Sequence, residues 1–322
     1  MGEDLDMEAR QITVFGGSGF LGRYVVRALA KKGWRIKVAT RRPNRAFFLR
    51  PMGQVGQIGF VKCDVADAGQ IAHALAGSQA AVNLAGILFQ RGQTFQDVHV
   101  KGPEAIAEAA SRLGLRAFVH VSAIGADAES ESRYAETKAE GEKRVREAFP
   151  HAVIMRPSLL FGPEDRFFNH FAELARFLPA LPLIGGGRTR FQPVFVGDAA
   201  AAIVTALDEP HAQGRTYELG GPTIYSFRQL MEIMLAVIER KRVLVPLPFW
   251  LAFLKSIFLQ LAPKPLLTPD QVRLLKYDNV VSPTAHTLKD LGITPTTVEA
   301  EVPNYLWRYR AKGEYADLAR QR

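Results

Sequence analysis

The sequence predicts an α/β protein, a doubly wound parallel sheet carrying a smaller C-terminal lobe. Three observations predict it. Apolar, strand-like runs alternate with helical patterns as far as residue 157. The first run, QITVF at 11–15, stops at a glycine-rich turn, GGSGFLG, that opens a helix. Beyond about residue 157 the alternation loosens, and prolines and glycines punctuate LFGPED, LPALPLIGGG and ELGGPT.

The elements follow in order. After the glycine turn, GRYVVRALAKKG reads as a helix, and Gly33 is its natural stop. RIKVAT, IGFVKCD and AAVNLAG are the second, third and fourth strands. Residues 95–113 form a helix, RAFVHVSA the fifth strand, 132–148 a helix and HAVIMRP the sixth strand. Strands alternating with helices build right-handed parallel βαβ units. Residues 1–157 are therefore a dinucleotide-binding domain, to which a later segment at about 190–205 returns. Residues 158–322 are the smaller lobe, with a membrane- or partner-facing segment at 240–269.

Composition narrows the class. The 322 residues are 48% hydrophobic and 23% charged, ordinary for a soluble globular protein with a sizeable core. The one cysteine, Cys63, excludes an internal disulfide and fits a reducing compartment. Its apolar run makes it a buried strand residue rather than a nucleophile. A net charge of +9 suits an anionic membrane or an acidic partner. Nucleic acid is the weakest reading, because the chain has no zinc-ligand cluster, aromatic-rich RNA signature or lysine tract. MGEDLDMEARQ is acidic and without an apolar run, unlike a secretory signal or an arginine-rich transit peptide, so the chain reads as cytoplasmic or already processed.

The glycine turn is a phosphate cradle. Gly16, Gly19 and Gly22 allow a tight turn and close approach to a pyrophosphate, with Ser18, Phe20 and Leu21 completing the loop at the helix N-terminus. An NAD site needs an acidic residue at the end of the second strand; this chain has Thr40-Arg41-Arg42. From Ala9 to Cys63 there are twelve Lys and Arg and no acid. Arg41 foremost, with Arg42, would pair with a 2′-phosphate, so the expected cofactor is NADP(H). Asp64 after the third strand would contact adenine or merely cap a helix. Ala85 and Gly86 let the chain pass close to the ribose, and Asn83 reads as a buried strand residue.

Ser122 ends the fifth strand, and Tyr134 and Lys138 follow at YAETK, four residues apart on one helix face. A serine would orient a carbonyl, the tyrosine would move a proton, and the lysine would hold the ribose and depress the tyrosine pKa. This set, with GGSGFLG, CDVAD, NLAG, MRPSLLFGPED and PVFVGDAA in order, resembles the extended or atypical short-chain dehydrogenase/reductases over about residues 11–300. GPEDRFFNHF, QPVFVGDAA, YAETKAEGEKRVREAFP and a proline-broken apolar segment resemble one branch more closely. That branch is the bacterial form of the NADPH-binding accessory subunit of respiratory complex I. The resemblance implies a Rossmann-type fold, tightly held NADPH, Ser122, Tyr134 and Lys138 gripping cofactor without turnover, partner subunits, and a peripheral place on the cytoplasmic face of the cell membrane. It also implies that Arg156-Pro157, at the end of the sixth strand, lies where the backbone nears the nicotinamide; a surface ion pair is the plainer reading of Arg156. In DVHVKG, His99 stands where active relatives place an Asn that positions a water, a role a histidine can also fill.

From Arg240 to Pro269 there is no Asp or Glu. Between Pro248 and Pro263 the run is apolar except for Lys255, Ser256 and Gln260, which share one face of a helix. It is shorter than the ~20 residues of a membrane span. An interface with lipid or protein is favoured over a buried helix, with Arg240, Lys241, Arg242 and Lys264 facing headgroups or an acidic partner. Tyr305, Trp307 and Tyr309 beside Arg308, Arg310 and Lys312 read equally as an interface or as a terminal helix docked on its own domain. Two functions result: an NADPH-holding accessory subunit, or an NADP-dependent reductase or epimerase acting on a lipid-like or quinone-like substrate, with Tyr134 as acid.

Overall fold

The computed structural model describes residues 10–262 and 265–311. The acidic stretch before Arg10, Lys264 and Lys312 lie outside the described residues. The chain divides into two compact units. One runs to Arg156 and takes back Ala199–Tyr217 and Leu288–Ile293. The other holds Pro157–Asp198, Glu218–Thr287 and the described residues from Thr294 onward.

The first unit carries the sheet. Strands β1 (Gln11–Phe15), β2 (Arg35–Thr40), β3 (Ile58–Lys62), β4 (Ala80–Asn83), β5 (Ala117–Val121) and β6 (Val153–Pro157) pair in parallel. The order is β6-β5-β4-β1-β2-β3, and the strand Thr216–Leu219 adds to the β6 edge. Helices cover both faces, so β1, β4 and β5 are buried almost throughout. Helix α1 (Phe20–Lys31) buries Leu21, Val25, Val26 and Leu29 at helical spacing and ends at Gly33, whose φ of +80° suits glycine. Helices α2 (Ala68–Leu75), α3 (Gly102–Arg112) and α4 (Arg133–Ala148) follow. They pack Ile71, Leu75, Ile106 and Val145 against Phe15 and Phe118. Strand order reverses between β1 and β4, and in such sheets ligands bind outside the strand ends at that point. The glycine turn leaves β1 there.

Cys63 follows β3, is buried, and has its thiol pushed up to about 12 by desolvation, helped by Asp64 and Asp67. A thiol so held stays protonated and unreactive at neutral pH.

In the second unit, strand Val243–Leu247 pairs in parallel with Ala180–Ile184. Helices Phe168–Phe177 and Phe227–Val237 share a core with Phe161, Tyr305 and Leu306. The C-terminal aromatics take the docked alternative. Tyr305 donates to Asp165 Oδ2 at 2.6 Å, Tyr309 to Asn169 Oδ1 at 3.0 Å, and Arg310 Nε to the Val237 carbonyl at 2.9 Å.

The apolar helix Phe249–Leu259 corrects one expectation. Ser256 does not share a solvent face with Lys255 and Gln260; it is fully buried and donates to the Phe253 carbonyl. The inward side is small, Ala252 and Ser256, while the outward side is large and apolar. Trp250 is 65% exposed and Phe258 74%, and Leu261, just past the helix, is 80% exposed. The wheel fixed a polar stripe but not which side met the unit's own core. Among the described residues, no helix is long and apolar enough to cross a membrane.

Candidate cofactor and proton-transfer site

The site grows from the ends of β1, β4 and β5. Gly16 adopts φ +77°, and a Cβ there would lie 3.0 Å from the backbone of Leu84 and Ala85. The turn after β1 and the chain leaving β4 therefore touch backbone to backbone. A Cβ on Gly22 would fall 2.4 Å from the Gly16 carbonyl oxygen, so the first turn of α1 closes onto the loop only with glycine there. Gly19 N–H donates to that carbonyl at 2.9 Å. Ser18 and Phe20 lie half-buried beside the exposed Gly19, and Leu21 is turned into the core.

Past β4, Asn83 is fixed from both sides. Its Oδ1 accepts from Ala85 N–H at 3.0 Å, so its Nδ2 donates to His120 Nδ1 at 3.1 Å. It is thus more than a strand filler: it holds the chain entering Ala85-Gly86. A Cβ built on Gly86 would stand 3.7 Å from Lys138 Nζ and 4.0 Å from His99 Nε2. This brings Gly86, Lys138 and His99 into one place.

Ser132 caps α4, accepting from Ala135 N–H, and so sets Tyr134 and Lys138 on the first turns. Lys138 Nζ donates to the Val121 carbonyl at 3.0 Å, next to Ser122. Burial brings the Lys138 pKa down to about 8, against the pull of Glu142. Ser122 is buried, and its Oγ has no hydrogen-bond partner among the described residues. An unmet buried hydroxyl costs about 1–3 kcal/mol, a penalty that a polar ligand at this point removes. Together with the glycine turn, it fits a dinucleotide laid across the ends of β1, β4 and β5. A nicotinamide dinucleotide bound there supplies a hydride donor or acceptor. Ser122, Tyr134 and Lys138 would face its ribose and ring end, with Tyr134 the group able to hold or release a proton.

His99 does not hold a water. Its Nε2 accepts from Ile87 N–H at 3.1 Å, and its Nδ1 lies 3.1 Å from Thr137 Oγ1. The Thr137 hydroxyl donates to the Arg133 carbonyl at 2.7 Å, so it can only accept from Nδ1–H. Both ring nitrogens are engaged and the tautomer is set. Desolvation, then the Lys138 charge, lowers the His99 pKa to about 3. The ring stacks on Phe95 at 5.1 Å and meets Tyr134 edge-on at 5.3 Å. It is a neutral wedge behind Tyr134. The predicted 95–113 helix begins as a π turn, Gln96–Lys101, whose extra width carries this wedge. Helix α4 crosses so near that a Cβ on Gly141 would sit 1.8 Å from the His99 carbonyl oxygen.

The remaining predicted residues lie apart or are otherwise engaged. Arg41 and Arg42 follow β2 and are exposed. Asp64 does not cap α2; Asp67 does, accepting from Gln70 N–H at 3.0 Å. Asp64 Oδ1 accepts from Ala66 N–H at 3.1 Å and Gln93 Nε2 at 2.9 Å, tying the β3 exit to the loop after β4. The ion pair of Arg156 is not on the surface. Its guanidinium forms a two-pronged bond at 2.9 and 2.7 Å to Glu142, whose side chain is 5% exposed. Pro157 closes β6 and is buried. Sequence reasoning passed over Thr137, Glu142 and His120. Thr137 stood inside YAETK, and Glu142 lies one turn beyond Lys138 on the same face. His120 Nε2 is buried without a partner among the described residues, and desolvation holds that ring neutral.

The model of the NAD dependent epimerase/dehydratase family matches residues 12–220. The chain belongs to this family. It is 38% identical to the mitochondrial NADH dehydrogenase [ubiquinone] 1 alpha subcomplex subunit 9 of Mus musculus, over 92% of this chain and 80% of that protein. It is 33% identical to the mitochondrial NADH-ubiquinone oxidoreductase 40 kDa subunit of Neurospora crassa, over 94% of this chain and 80% of that one. Among solved structures, the NADPH-dependent quinone oxidoreductase of Escherichia coli, complexed with NADPH, superposes with a TM-score of 0.73 at 20% identity, covering 92% of this chain and 99% of that one. The Rossmann-type sheet is shared with it. The NAD(P)-binding family agrees with the glycine turn at β1.

Proposed function

We propose that this chain is an accessory subunit of a respiratory NADH:ubiquinone oxidoreductase, holding NADPH as a resident ligand and lying against the cytoplasmic face of the cell membrane. The observation that carries the reading is identity of 33–38% to such subunits along more than nine-tenths of the chain. The site supports it from the chemical side. Tyr134 and Lys138, on the first turns of α4, would grip a nicotinamide ribose, while His99 has no free ring nitrogen to pass a proton outward. Arg41 and Arg42, exposed at the end of β2 with no acid in that stretch, favour a 2′-phosphate and therefore NADPH over NADH. A ligand bound only by the native state stabilises it by mass action, which makes a held cofactor a structural part. Helix Phe249–Leu259, with large apolar side chains outward, supplies a surface for the membrane or for a partner subunit.

A second reading, an NADP-dependent reductase or epimerase, rests on the intact Ser122, Tyr134 and Lys138. Gentle extraction from membranes separates the two. The accessory reading expects a large NADH-oxidising assembly carrying one NADPH per chain, unconsumed when quinones or ketones are added. A free protein that turns over NADPH would overturn it.

A further inference from the structure

The second unit has an open hollow of about 650 Å³ whose lining includes Arg188, Arg190, Arg228, Ile224 and Pro246 and no acidic residue. Two of the arginines have acids beyond the rim. Arg190 bonds Asp278 at 2.7 Å, and Arg228 stands 3.8 Å from Glu232. Arg188 has no acidic partner among the described residues. A neighbouring hollow of about 550 Å³ shares Arg228, is lined by its partner Glu232, and adds Arg240, Lys241 and Arg242. Around the two hollows, six cations face two acids.

This cationic ground is built onto the apolar helix. Gly186 and Gly187 line the hollow and belong to the turn Gly185-Gly186-Gly187, with φ of +61°, +72° and +73°, a run that only glycines adopt without strain. A Cβ on Gly185 would strike the Phe249 ring at 2.4 Å, and one on Gly187 would come within 3.1 Å of Arg228. The same three-residue turn therefore touches the first residue of helix Phe249–Leu259 on one side and an arginine of the hollow on the other. Strand Val243–Leu247 joins them, with Val243 65% and Val245 46% exposed. Cations in a hollow joined through Gly185 and Phe249 to the helix that carries outward Trp250 and Phe258 match a phosphate at the boundary between water and hydrocarbon. Guanidinium forks suit phosphate oxygens.

We propose that the Arg188–Arg228 hollow is a headgroup site for an anionic phospholipid, occupied as the outward face of helix Phe249–Leu259 enters the bilayer surface. It rests on the peripheral-membrane reading above and adds to it a defined phosphate site. Arg188 and Arg228 are the residues that grip; Trp250 and Phe258 are those that insert.

The test uses the full chain and sedimentation with vesicles of phosphatidylcholine alone or mixed with phosphatidylglycerol, with a blue shift of tryptophan emission, absent in Trp250→Ser, as the sign of insertion. Each cation near an anionic surface is worth about fivefold in affinity, so Arg188→Gln/Arg228→Gln should weaken binding to the anionic vesicles roughly thirtyfold. Trp250→Ser/Phe258→Ser should abolish the interaction with both kinds of vesicle. If the arginine pair binds like wild type while the Trp250/Phe258 pair loses binding, the headgroup site is refuted and the membrane reading stands. If wild type binds neither vesicle but holds to partner subunits of a respiratory complex, the occupant is an acidic protein and both fail. Inorganic phosphate that stabilises the vesicle-free protein through the same arginines, with no preference for anionic vesicles, would make the ligand free phosphate and overturn the lipid assignment.

Discussion

Lowering the pH from 7 to 5 should weaken the cofactor-free protein through His99 and His120. Both rings are fully buried. Desolvation, with the Lys138 charge second, holds His99 at about 3 and His120 well below 6.5. In the unfolded chain each takes up a proton near the ordinary value of ~6.5. The folded pKa lies below the unfolded one, so the stability contributed is complete above about 6.5 and is lost as the pH falls toward the folded value. At pH 5 His99 withdraws RT ln(1 + 10^1.5), about 2 kcal/mol, and His120 acts in the same direction. Set against a domain stability of about 5–15 kcal/mol, that is a large share. The variant is His99→Gln, which has no titrating ring and keeps an acceptor for Ile87 N–H. Urea unfolding followed by far-ultraviolet circular dichroism at pH 7 and pH 5 gives the comparison. Wild type should lose about 2 kcal/mol more between the two pH values than the variant does. Carboxyls whose pKa burial raises, Asp165 and Asp198, act in both proteins and cancel. An equal loss in the two proteins would refute a neutral, desolvated His99.

Three other outcomes follow from the geometry. Arg156→Met removes the two-pronged partner of the buried Glu142 carboxylate and should cost about 3–5 kcal/mol in urea unfolding; a loss under about 1 kcal/mol would deny the pair. Gly141→Ala drives a methyl into the His99 carbonyl and should lower stability by about 1–3 kcal/mol or more, while Gly59→Ala, whose Cβ would meet nothing nearer than 3.9 Å, should stay near wild type; equal effects would deny the close crossing of α4. Arg41→Glu should weaken NADPH binding roughly tenfold to a hundredfold in titration calorimetry and leave NADH nearly unchanged; parallel losses for both nucleotides would remove Arg41 from the 2′-phosphate.

The parallel sheet was legible because its signals are local. Each strand is a short apolar run, and the glycine turn after QITVF states its own backbone needs. Tyr134 and Lys138 were legible for the same reason, being one helical turn apart. Arg156 was not, because its partner Glu142 lies on another element and only the packing of β6 against α4 brings them together. The reach of His99 was hidden likewise. A single histidine in DVHVKG says nothing of Ile87 N–H or Thr137, which close on it from two other segments. The sequence by itself thus determined the order of strands and helices and the residue types offered to a cofactor. Tertiary structure decided which of those groups were already engaged, which way the apolar helix turned, and which arginines shared a hollow. Those outcomes depend on distances between segments far apart in the chain, and no local pattern carries them.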